Sequence, residues 1–431
     1  MFSSKKISKL PHLFVEKISP SFIFNVPAQF LYYTMDINTN TSRINHYRGF
    51  PPSTRLILEN FAIKSISEVK PGDLIYVDSS TIDQVQNVKK YMYRGIIKEI
   101  RFTGQVFKIE SLENQLYYTI KKEIRDYCRK KYSKINIKIL EENIEIIKCK
   151  QLKKGDMLLI PKHEQRKTNV KLRTKDFIST FSNYIRNEIP EFIDFSKELF
   201  RWFGYYLAEG MVLFTSDKRY DKKCRGISFT ININEKKIAQ EIICIGENVF
   251  GVKSKLIKII DRNAYRINFY NTQLGELIYT LFNTGSSKKR IHNFLLSTPI
   301  DLLKELINGW LKGDGWICNS KDLIIGNTTS VELANQIYLI LINLGELPAL
   351  GRSAHINQNR IKARELGYYL RHDLYNIRLY KNKNRSHRKQ TRNYVFSPIL
   401  QTDYKFYEGY IYEIEMKNIK SFQANNILVK T

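Results

Sequence analysis

The sequence predicts an α+β protein, in which an all-β domain is built from both ends of the chain and a second domain of helices and paired strands is inserted between them. Short apolar segments and turns without long helical periodicity fill residues 53–161, and strand-forming residues return after residue 398. Between residues 176 and 398, helices alternate with paired strands, and the same order of elements occurs twice. These observations predict a pseudo-two-fold inserted domain.

Two segments of the first β region resemble each other. VKPGDLIYV begins at Val69 and LKKGDMLLIP begins at Leu152, and in each a Gly-Asp turn leads into an apolar strand. We therefore expect two similar β units to pack together. The predicted boundaries are 1–48 for an N-terminal extension, 49–165 and 399–431 for the β domain, and 170–398 for the inserted domain.

The inserted domain begins with LFRWFGYYLAEG as a helix, which is followed by a strand, a helix, a strand pair and a helix. The segment LLKELINGWLKGDG opens a second copy, with DLIIGNTTS as a strand, VELANQIYLILINLG as a helix and YNIRLYKN as a strand. The first copy therefore has the predicted order αβαββα. The two predicted repeats are residues 196–298 and 299–398.

Small residues recur on the last turns of the helix that opens each repeat. In WFGYYLAEG they are Gly204 and Ala208, and in INGWLKGDG they are Gly309 and Gly313. Residues four apart lie on one helix face, so each pair leaves a groove in which the backbone of another helix can approach closely. We expect the two helices to pack groove to groove.

Large aromatic residues cluster at the same two segments. The three tryptophans of the chain are Trp202, Trp310 and Trp316. Because tryptophan is large and amphipathic, we expect these side chains to pack around the helix pair rather than to stack on bases.

Each of the two helices ends on an acid followed by glycine. If the helices pack as expected, the acids Glu209 and Asp314 lie side by side. Two carboxylates at helix C-termini repel one another and the negative ends of both helix dipoles, and a divalent cation relieves both effects. Oxygen ligands of this kind suit Mg²⁺, which can activate water and stabilise the leaving oxygen in phosphodiester hydrolysis. We therefore predict that both acids bind metal and are catalytic.

The segments WFGYYLAEG and INGWLKGDG resemble, in register, the nine-residue signature of LAGLIDADG homing endonucleases of the single-chain, two-motif kind. The resemblance covers about half of the chain. It implies an αββαββα domain that cuts double-stranded DNA at a long asymmetric site, with the strands of each half lying along the major groove. It also implies that Glu209 and Asp314 hold the catalytic Mg²⁺, and that the protein is a monomer with internal pseudo-symmetry.

The same resemblance implies catalytic lysines. Intein-encoded members of the family carry a lysine ahead of the second motif, and the segment KRIHNFLL supplies Lys289, with His292 where the family has proline. A cation there could position the attacking water or neutralise charge on the phosphorane. The corresponding lysine of the other half is assigned to Lys389.

Lys389 lies in a basic run, KNKNRSHRKQTR, which contains no acid. Such a run can follow the phosphates of DNA, and a solvated surface loop is the alternative. The DNA-binding residues predicted from the run are Lys381, Lys383, Arg385, Arg388 and Arg392.

Both ends of the chain resemble the Hint fold of self-splicing inteins. STRLILENFAIKSISEVKPGDLIYV resembles its opening and GYIYEIEMKNIKSFQANNILVKT its closing strands. Splicing requires a Cys or Ser nucleophile at the start, a Thr-x-x-His block and a terminal His-Asn. The corresponding residues here are Phe50 or Gly49, Thr119 with Lys122, and Lys430 with Thr431. The resemblance therefore implies an intein-derived endonuclease that has lost protein splicing.

Composition indicates the class of partner. The 431 residues include 70 Lys and Arg against 42 Asp and Glu, a net charge of +28, and the hydrophobic content of 43% is that of a folded chain. Nucleic acid is therefore the expected partner, and a generally basic proteome is the alternative source of the charge.

Composition also limits the compartment. The five cysteines fit neither a zinc ribbon nor a disulfide framework, so we expect them to be reduced and mostly buried in an intracellular protein. No apolar run approaches the length of a membrane span, so we expect no membrane insertion. Both the nucleus and the mitochondrion are left open as locations.

Three other functions fit parts of the sequence. A LAGLIDADG RNA maturase would prefer structured RNA and cut no DNA, but it leaves the Hint-like ends unexplained. A residual self-splicing intein would ligate foreign flanking segments. A DNA-binding relic would bind a site without nicking it. Because both acids and Lys289 are present, an active nuclease is our first prediction.

Overall fold

The computed structural model describes residues 47–132, 137–163, 170–179, 188–215, 223–260, 263–319, 322–354, 371–382 and 387–431. All the elements named below belong to the compact unit Arg48–Thr431. The predicted N-terminal extension therefore lies outside the described residues up to residue 46. Within the described ranges, no helix is long and apolar enough to cross a lipid bilayer.

The first part of the chain is rich in strands. In chain order its elements are β1 (Arg55–Ile57), β2 (Ile63–Ser65), β3 (Leu74–Tyr76), β4 (Ile82–Phe102), β5 (Ile109–Ser111), β6 (Leu116–Ile120), α1 (Lys122–Tyr132), α2 (Ile137–Glu142), β7 (Glu145–Lys148) and β8 (Met157–Pro161).

The two helices α1 and α2 contradict the prediction of an all-β region. The sequence of α1, KEIRDYCRKKY, is almost entirely polar, and its apolar contacts come from Ile124 and the fully buried Cys128. In α2 the buried residue is Leu140. The residues of α1 do follow a helical period, but its low apolar content makes the segment look like a surface turn rather than a packed helix.

The middle of the chain contains two similar series of elements. The first series follows the short strands β9 (Lys171–Arg173) and β10 (Phe192–Asp194) and consists of α3 (Lys197–Glu209), β11 (Gly210–Phe214), β12 (Cys224–Asn232), α4 (Lys236–Phe250), β13 (Ser254–Ile259), β14 (Ala264–Phe269) and α5 (Thr272–Phe282). After the single-turn helix α6 (Asn293–Leu296), the second consists of α7 (Ile300–Asp314), β15 (Gly315–Cys318), β16 (Leu323–Thr328), α8 (Val331–Asn343), β17 (Ala349–Ser353) and β18 (Leu374–Tyr380).

The two series differ at their ends. The first has the order αββαββα, including the strand β11 that the sequence did not reveal. The second has the order αββαββ, because residues 371–382 and 387–431 contain no helix. Each series forms a four-stranded antiparallel sheet, in the order β11-β12-β14-β13 for the first and β15-β16-β18-β17 for the second. The two sheets therefore have the same topology.

The last part of the chain returns to strands: β19 (Lys389–Gln390), β20 (Tyr394–Met416), β21 (Ser421–Ala424) and β22 (Ile427–Lys430). Strand β20 lies between β4 and β8 in a ten-stranded sheet, so strands from both ends of the described unit alternate in it. The predicted domain boundary between residues 398 and 399 falls inside β20, which is continuous across it.

The two similar segments of the β region have the same local structure. Each Gly-Asp turn contains a glycine with a left-handed backbone, with φ of +97° at Gly72 and +96° at Gly155. The aspartate side chains that follow, Asp73 and Asp156, accept hydrogen bonds from the backbone N–H three residues earlier, at 2.9 Å in each case. The Gly-Asp sequence therefore specifies the turn twice, because glycine allows positive φ and aspartate closes the loop.

The cysteines are free, as expected, but they are less buried than we expected. Cys128 and Cys149 are buried, Cys224 and Cys318 are partly buried and Cys244 is exposed. The exposed Cys244 lies on the outer face of α4, where its sulfur accepts a hydrogen bond from the side-chain amide of Asn248 at 3.5 Å.

Candidate active site

The helices α3 and α7 pack with their backbones in contact. A Cβ atom at Gly204 would lie 2.2 Å from the carbonyl oxygen of Leu306, and one at Gly309 would lie 2.1 Å from the carbonyl oxygen of Arg201. Because real side chains do not approach backbone atoms so closely, only glycine fits either position. The structure therefore brings together the helix faces that carry the small residues.

One turn further along, the second pair of small residues also meets. A Cβ atom at Gly313 would lie 2.5 Å from the Cβ of Ala208 and 3.5 Å from Oε1 of Glu209. Gly313 directly precedes Asp314, so the carboxylate of Glu209 lies against the last turn of the opposite helix. The two acids at the helix ends therefore converge.

The chain leaves both helices in an extended conformation rather than through a left-handed residue. Gly210 has φ −87° and ψ 155°, and Gly315 has φ −105° and ψ 154°. These glycines are required for space instead, because a Cβ atom would lie 2.2 Å from Cδ2 of Tyr206 at the first position and 2.2 Å from the carbonyl oxygen of Leu311 at the second. The acids thus stand where each helix turns directly into a strand.

Lys289 lies against the last turn of α3, close to the two acids. Its side chain is 6% exposed, and Nζ donates to the backbone carbonyl oxygens of Tyr206 at 2.9 Å, Leu207 at 2.8 Å and Ala208 at 3.1 Å. These carbonyls belong to the last turn of α3, where the helix dipole is negative and a cation is stabilising. The lysine is therefore fixed in place by three hydrogen bonds.

The segment around Lys289 is held by helix α8 of the second series. The side-chain hydroxyl of Ser330 donates to the carbonyl oxygen of Lys289 at 2.6 Å, and the amide of Gln336 pairs with both backbone groups of Ile291 at 2.8 Å. Buried hydrogen bonds of this kind hold a backbone in one position, because a buried polar group that loses its partner destabilises the folded state. The second series thus positions Lys289, whose ammonium group lies at the C-terminus of helix α3 in the first series.

Burial and charge shift the pKa values of the three groups. Burial, with the nearby Asp314 as the second cause, raises the pKa of Glu209 to about 7, and burial raises the pKa of Asp314 to about 6. Burial lowers the pKa of Lys289 to about 8, although both acids act in the opposite direction. Around pH 7 the single positive charge of Lys289 therefore does not balance two ionised carboxylates. Without a further cation, the state in which both acids are ionised is destabilised.

The residues present fit a divalent cation that is bound mainly by water and substrate. The described residues contain no group of three or more His, Cys, Asp or Glu side chains that could hold a metal ion by themselves. Two converging carboxylates match Mg²⁺, which usually binds through one or two carboxylates, several waters and substrate phosphates. The indole N–H of the buried Trp310 lowers the pKa of Asp314 but has no partner in hydrogen-bond geometry, so its effect is weak.

Metal binding at this pair is expected to weaken as the pH falls. A protonated carboxyl cannot bind a cation, and protonation sets in below about pH 7 at Glu209 and about pH 6 at Asp314. We expect the dissociation constant for Mg²⁺, measured by calorimetry, to rise roughly tenfold per pH unit between about pH 7 and pH 6, and roughly a hundredfold per pH unit below pH 6, where both carboxylates take up a proton. In Glu209→Gln the pH dependence should become shallower, since one titrating ligand is gone. An affinity that is constant between pH 8 and pH 5 would contradict the assignment.

A partly buried ion-pair network on the same two helices was missed in the sequence. Arg201 of α3 pairs with Glu305 of α7 at 2.7 Å and with Glu241 of α4 at 2.8 Å, and the hydroxyl of Tyr205 donates to Glu241 at 2.7 Å. Arg201 and Glu305 lie one turn before the first small residue of their helices. Because opposite charges stand at matching positions of the two helices, the sequence could have been used to predict a salt bridge between them.

The structure separates Lys389 from the acid pair. Lys389 lies in β19, where it pairs with Phe396 of β20 in the ten-stranded sheet. The positive charge that acts on the pKa values of both acids is that of Lys289. The assignment of Lys389 as a second catalytic lysine stays a prediction, whereas Lys289 is the lysine that acts on both acids.

The predicted DNA-binding run is divided by the structure. Lys383 and Arg385 lie outside the described residues, whereas Lys381 and Arg392 are exposed, with Lys381 3.9 Å from Asp322. Arg388 is 2% exposed and donates to the hydroxyl of Tyr338 and the carbonyl oxygen of Pro348. The prediction that Arg388 binds DNA was wrong, because its guanidinium is enclosed in the protein and hydrogen-bonded there.

Both four-stranded sheets expose residues on the face away from the helices. In the first sheet Arg266 and Lys255 are exposed, and in the second Arg378 is exposed.

Two of the three tryptophans, Trp202 and Trp310, are fully buried, as we expected. The third, Trp316, is 50% exposed and lies two residues after Asp314. The residue at the same position after Glu209 is Met211, which is 49% exposed. A large side chain therefore flanks the acid pair on each sheet.

Comparison with known proteins finds similar sequences but no matching family model. An uncharacterised protein of Methanocaldococcus jannaschii is 27% identical over 413 residues, which cover 86% of this chain and 48% of that protein. An ATP-dependent DNA helicase of Thermococcus kodakarensis is 20% identical over 410 residues, which cover 88% of this chain and 35% of the helicase. The chain thus spans about half or less of the length of these relatives.

Solved structures give weaker likenesses. The homing endonuclease I-DmoI, in complex with DNA and Ca, is 12% identical, with a TM-score of 0.31 over 42% of this chain and 82% of that one. An intein is 17% identical, with a TM-score of 0.19 over 26% of this chain and 69% of that one. TM-scores of this size do not establish a common fold.

Proposed function

We propose that this protein is a site-specific DNA endonuclease that hydrolyses phosphodiester bonds in both strands with a divalent metal. The observation that carries the proposal is the convergence of Glu209 and Asp314 at the ends of two helices in backbone contact, above the buried Lys289. Partly buried acids with raised pKa values beside a fixed cation are typical of catalytic sites.

The three residues have different roles in the proposed reaction. Glu209 and Asp314 hold Mg²⁺, which when bound supplies Lewis-acid activation of water and of the scissile phosphate. Lys289 contributes a fixed positive charge, since its Nζ is hydrogen-bonded to three carbonyl oxygens. A pKa of about 8 leaves it largely protonated at neutral pH, so it stabilises the negative charge that develops on the phosphate rather than acting as a base.

The two sheets are the proposed DNA-binding surfaces. Arg266, Lys255 and Arg378 are exposed on them, and the net charge of +28 favours a polyanion. The two halves present different side chains, such as Met211 and Trp316 beside the acids, which favours an asymmetric site. Both acids come from one chain, so the site needs no second subunit and we propose a monomer.

We further propose that the ten-stranded sheet and the two helix-and-sheet series are separate domains, and that the protein does not splice itself. The residue at the predicted position of the splicing nucleophile, Phe50, is 1% exposed and packs on the ring of Phe422 at a centroid distance of 5.8 Å. A phenyl side chain cannot carry out the acyl shift. Loss of splicing leaves DNA cleavage as the activity of this chain.

The proposal is tested in two stages, because the target sequence is not known. Duplexes with long randomised segments are first enriched by binding to the purified protein in Ca²⁺, and the enriched pool is then incubated with Mg²⁺ or with EDTA. We expect Mg²⁺ to produce double-strand cuts at one sequence within the bound segment, and EDTA to prevent them. A tightly bound pool that stays intact in Mg²⁺ and in Mn²⁺ would overturn the proposal.

A further inference from the structure

A cavity of about 530 Å³ lies between the β region and the second helix-and-sheet series, apart from the acid pair. Its walls come from the start of the β region, from the loop around Gln105 to Lys108, from Asn335 of α8 and from Arg352 of β17. Its volume falls in the range of roughly 300–1,000 Å³ that is typical of sites for small molecules. Nothing in the proposed nuclease reaction uses this cavity.

The cations around the cavity are unequally paired. Arg101 and Lys108 form ion pairs with Glu99, Lys108 also pairs with Glu110, the acid that lines the cavity, and Arg352 pairs with Asp373. In the described part of the chain, Arg55 has no acidic partner within ion-pair distance. Its guanidinium instead lies 4.7 Å from the centre of the Phe107 ring. Burial lowers the pKa of Arg55, although Tyr375 and Glu332 act in the opposite direction, so this charge is partly withdrawn from water with no carboxylate in direct contact.

Two polar side-chain atoms at the cavity are buried and lack hydrogen-bond partners within the described residues. They are Oδ1 of Asn335, a residue that is 2% exposed, and Nε2 of Gln105. The first atom requires a donor and the second requires an acceptor. Buried polar groups are normally paired, so two complementary unpaired atoms in one cavity indicate a missing polar ligand.

The backbone around Arg55 is held rigidly by Asn425. The backbone N–H of Arg55 donates to Oδ1 of Asn425 at 2.8 Å, and the N–H of Asn425 donates back to the carbonyl oxygen of Arg55 at 2.9 Å. The side-chain oxygen of Gln105 is likewise fixed, because it accepts from the N–H of Val106 at 3.0 Å. The backbone at Arg55 and the side-chain amide of Gln105 are therefore held in place before a ligand binds, which reduces the entropy that binding would cost.

We propose that this cavity binds a small organic phosphate of about mononucleotide size. Its phosphate accepts hydrogen bonds from Arg55 and from Nε2 of Gln105, and a donor group of the same molecule reaches Oδ1 of Asn335. A guanidinium fork favours phosphate oxygens, and Phe107 and Val106 provide an apolar wall for the organic part.

The test is calorimetry on the full chain without DNA, with adenosine monophosphate as the probe and with adenosine and inorganic phosphate as comparisons. We expect the mononucleotide to bind and adenosine to bind at least about tenfold more weakly, since it lacks the charged group. Arg55→Gln should raise the dissociation constant of the mononucleotide at least about tenfold. Arg94→Gln is the charge-matched control, since Arg94 pairs with Glu408 at the surface, and it should change nothing.

A second variant keeps the test decisive if Arg55→Gln does not fold. Asn335→Asp is nearly isosteric and places a carboxylate opposite the anion, so it should abolish binding of the mononucleotide. Absence of mononucleotide binding to the wild-type protein, or unchanged affinity in either folded variant, would overturn the proposal. If Arg55→Gln instead weakens only the binding of a DNA duplex, the occupant is a DNA phosphate, and the proposal of a free organic ligand is wrong.

Discussion

Glu209→Gln and Asp314→Asn are each expected to abolish double-strand cleavage, with a loss on the order of 10³-fold or more in rate, while the affinity for the target duplex stays unchanged. Each substitution removes one metal-binding carboxylate and preserves the shape of the side chain. Rates are measured by single-turnover cleavage of the selected duplex in Mg²⁺, and affinity is measured in Ca²⁺. Loss of cleavage together with loss of binding would point to a DNA-contacting rather than a catalytic role.

The same helices provide matched controls. Glu198→Gln and Asp301→Asn make the same chemical changes in the first turns of α3 and α7, roughly three turns or more from the acid pair. We expect both control variants to cleave at the wild-type rate. A loss of cleavage in the controls that matches the loss in the site variants would show that general charge, and not the acid pair, governs activity.

Stability offers an independent measure of the same site. Burial and repulsion raise the pKa of Glu209 to about 7, above its ordinary value of 4.5. Between these pH values the folded state binds more protons than the unfolded state, so its stability falls as the pH rises. Above pH 7, without metal, Glu209→Gln removes this cost and should raise the melting temperature. Cleavage is thus lost in a variant that is more stable, as expected for a strained functional site.

The sequence was sufficient to predict the helix pair and its acids because local rules determine both. Small residues four apart require a close helix contact, and Glu209 and Asp314 follow at fixed positions from Gly204 and Gly309. Lys289 was predicted through a family resemblance and not through its surroundings. Its three carbonyl partners lie about eighty residues earlier in the chain, and no repeated small-residue pattern marks that contact as it marks the helix pair.

The failures of sequence interpretation also have physical causes. Helix α1 was missed because its low apolar content hides the helical period that its few apolar residues follow. Arg388 looked like a surface cation, because a run of basic residues does not show which member turns inward to bond Tyr338 and Pro348. The cavity beside Arg55 combines residues from at least four distant parts of the chain, so only the folded structure brings its unpaired groups together.

Gly309→Ala is expected to destabilise the protein, although alanine is the better helix former. In a helix that makes no close contact, the change would stabilise by about 1 kcal/mol. Here the new Cβ would lie 2.1 Å from the carbonyl oxygen of Arg201 and 3.1 Å from the Cα of Gly204, so the helices must separate. Overpacking of this kind costs roughly 1–3 kcal/mol, and backbone atoms cannot rotate away as side chains can.

The sign of this effect makes the experiment decisive. We expect urea denaturation to show a lower free energy of unfolding for Gly309→Ala, by roughly 2 kcal/mol. Lys304→Ala, at an exposed position of the same helix, should change stability by no more than about 0.5 kcal/mol. Cleavage by Gly309→Ala should also fall, because separating the helices moves Glu209 away from Asp314. A stabilised Gly309→Ala variant would mean that the helices are not in backbone contact, and the converging acids on which the proposed nuclease depends would then have no structural basis.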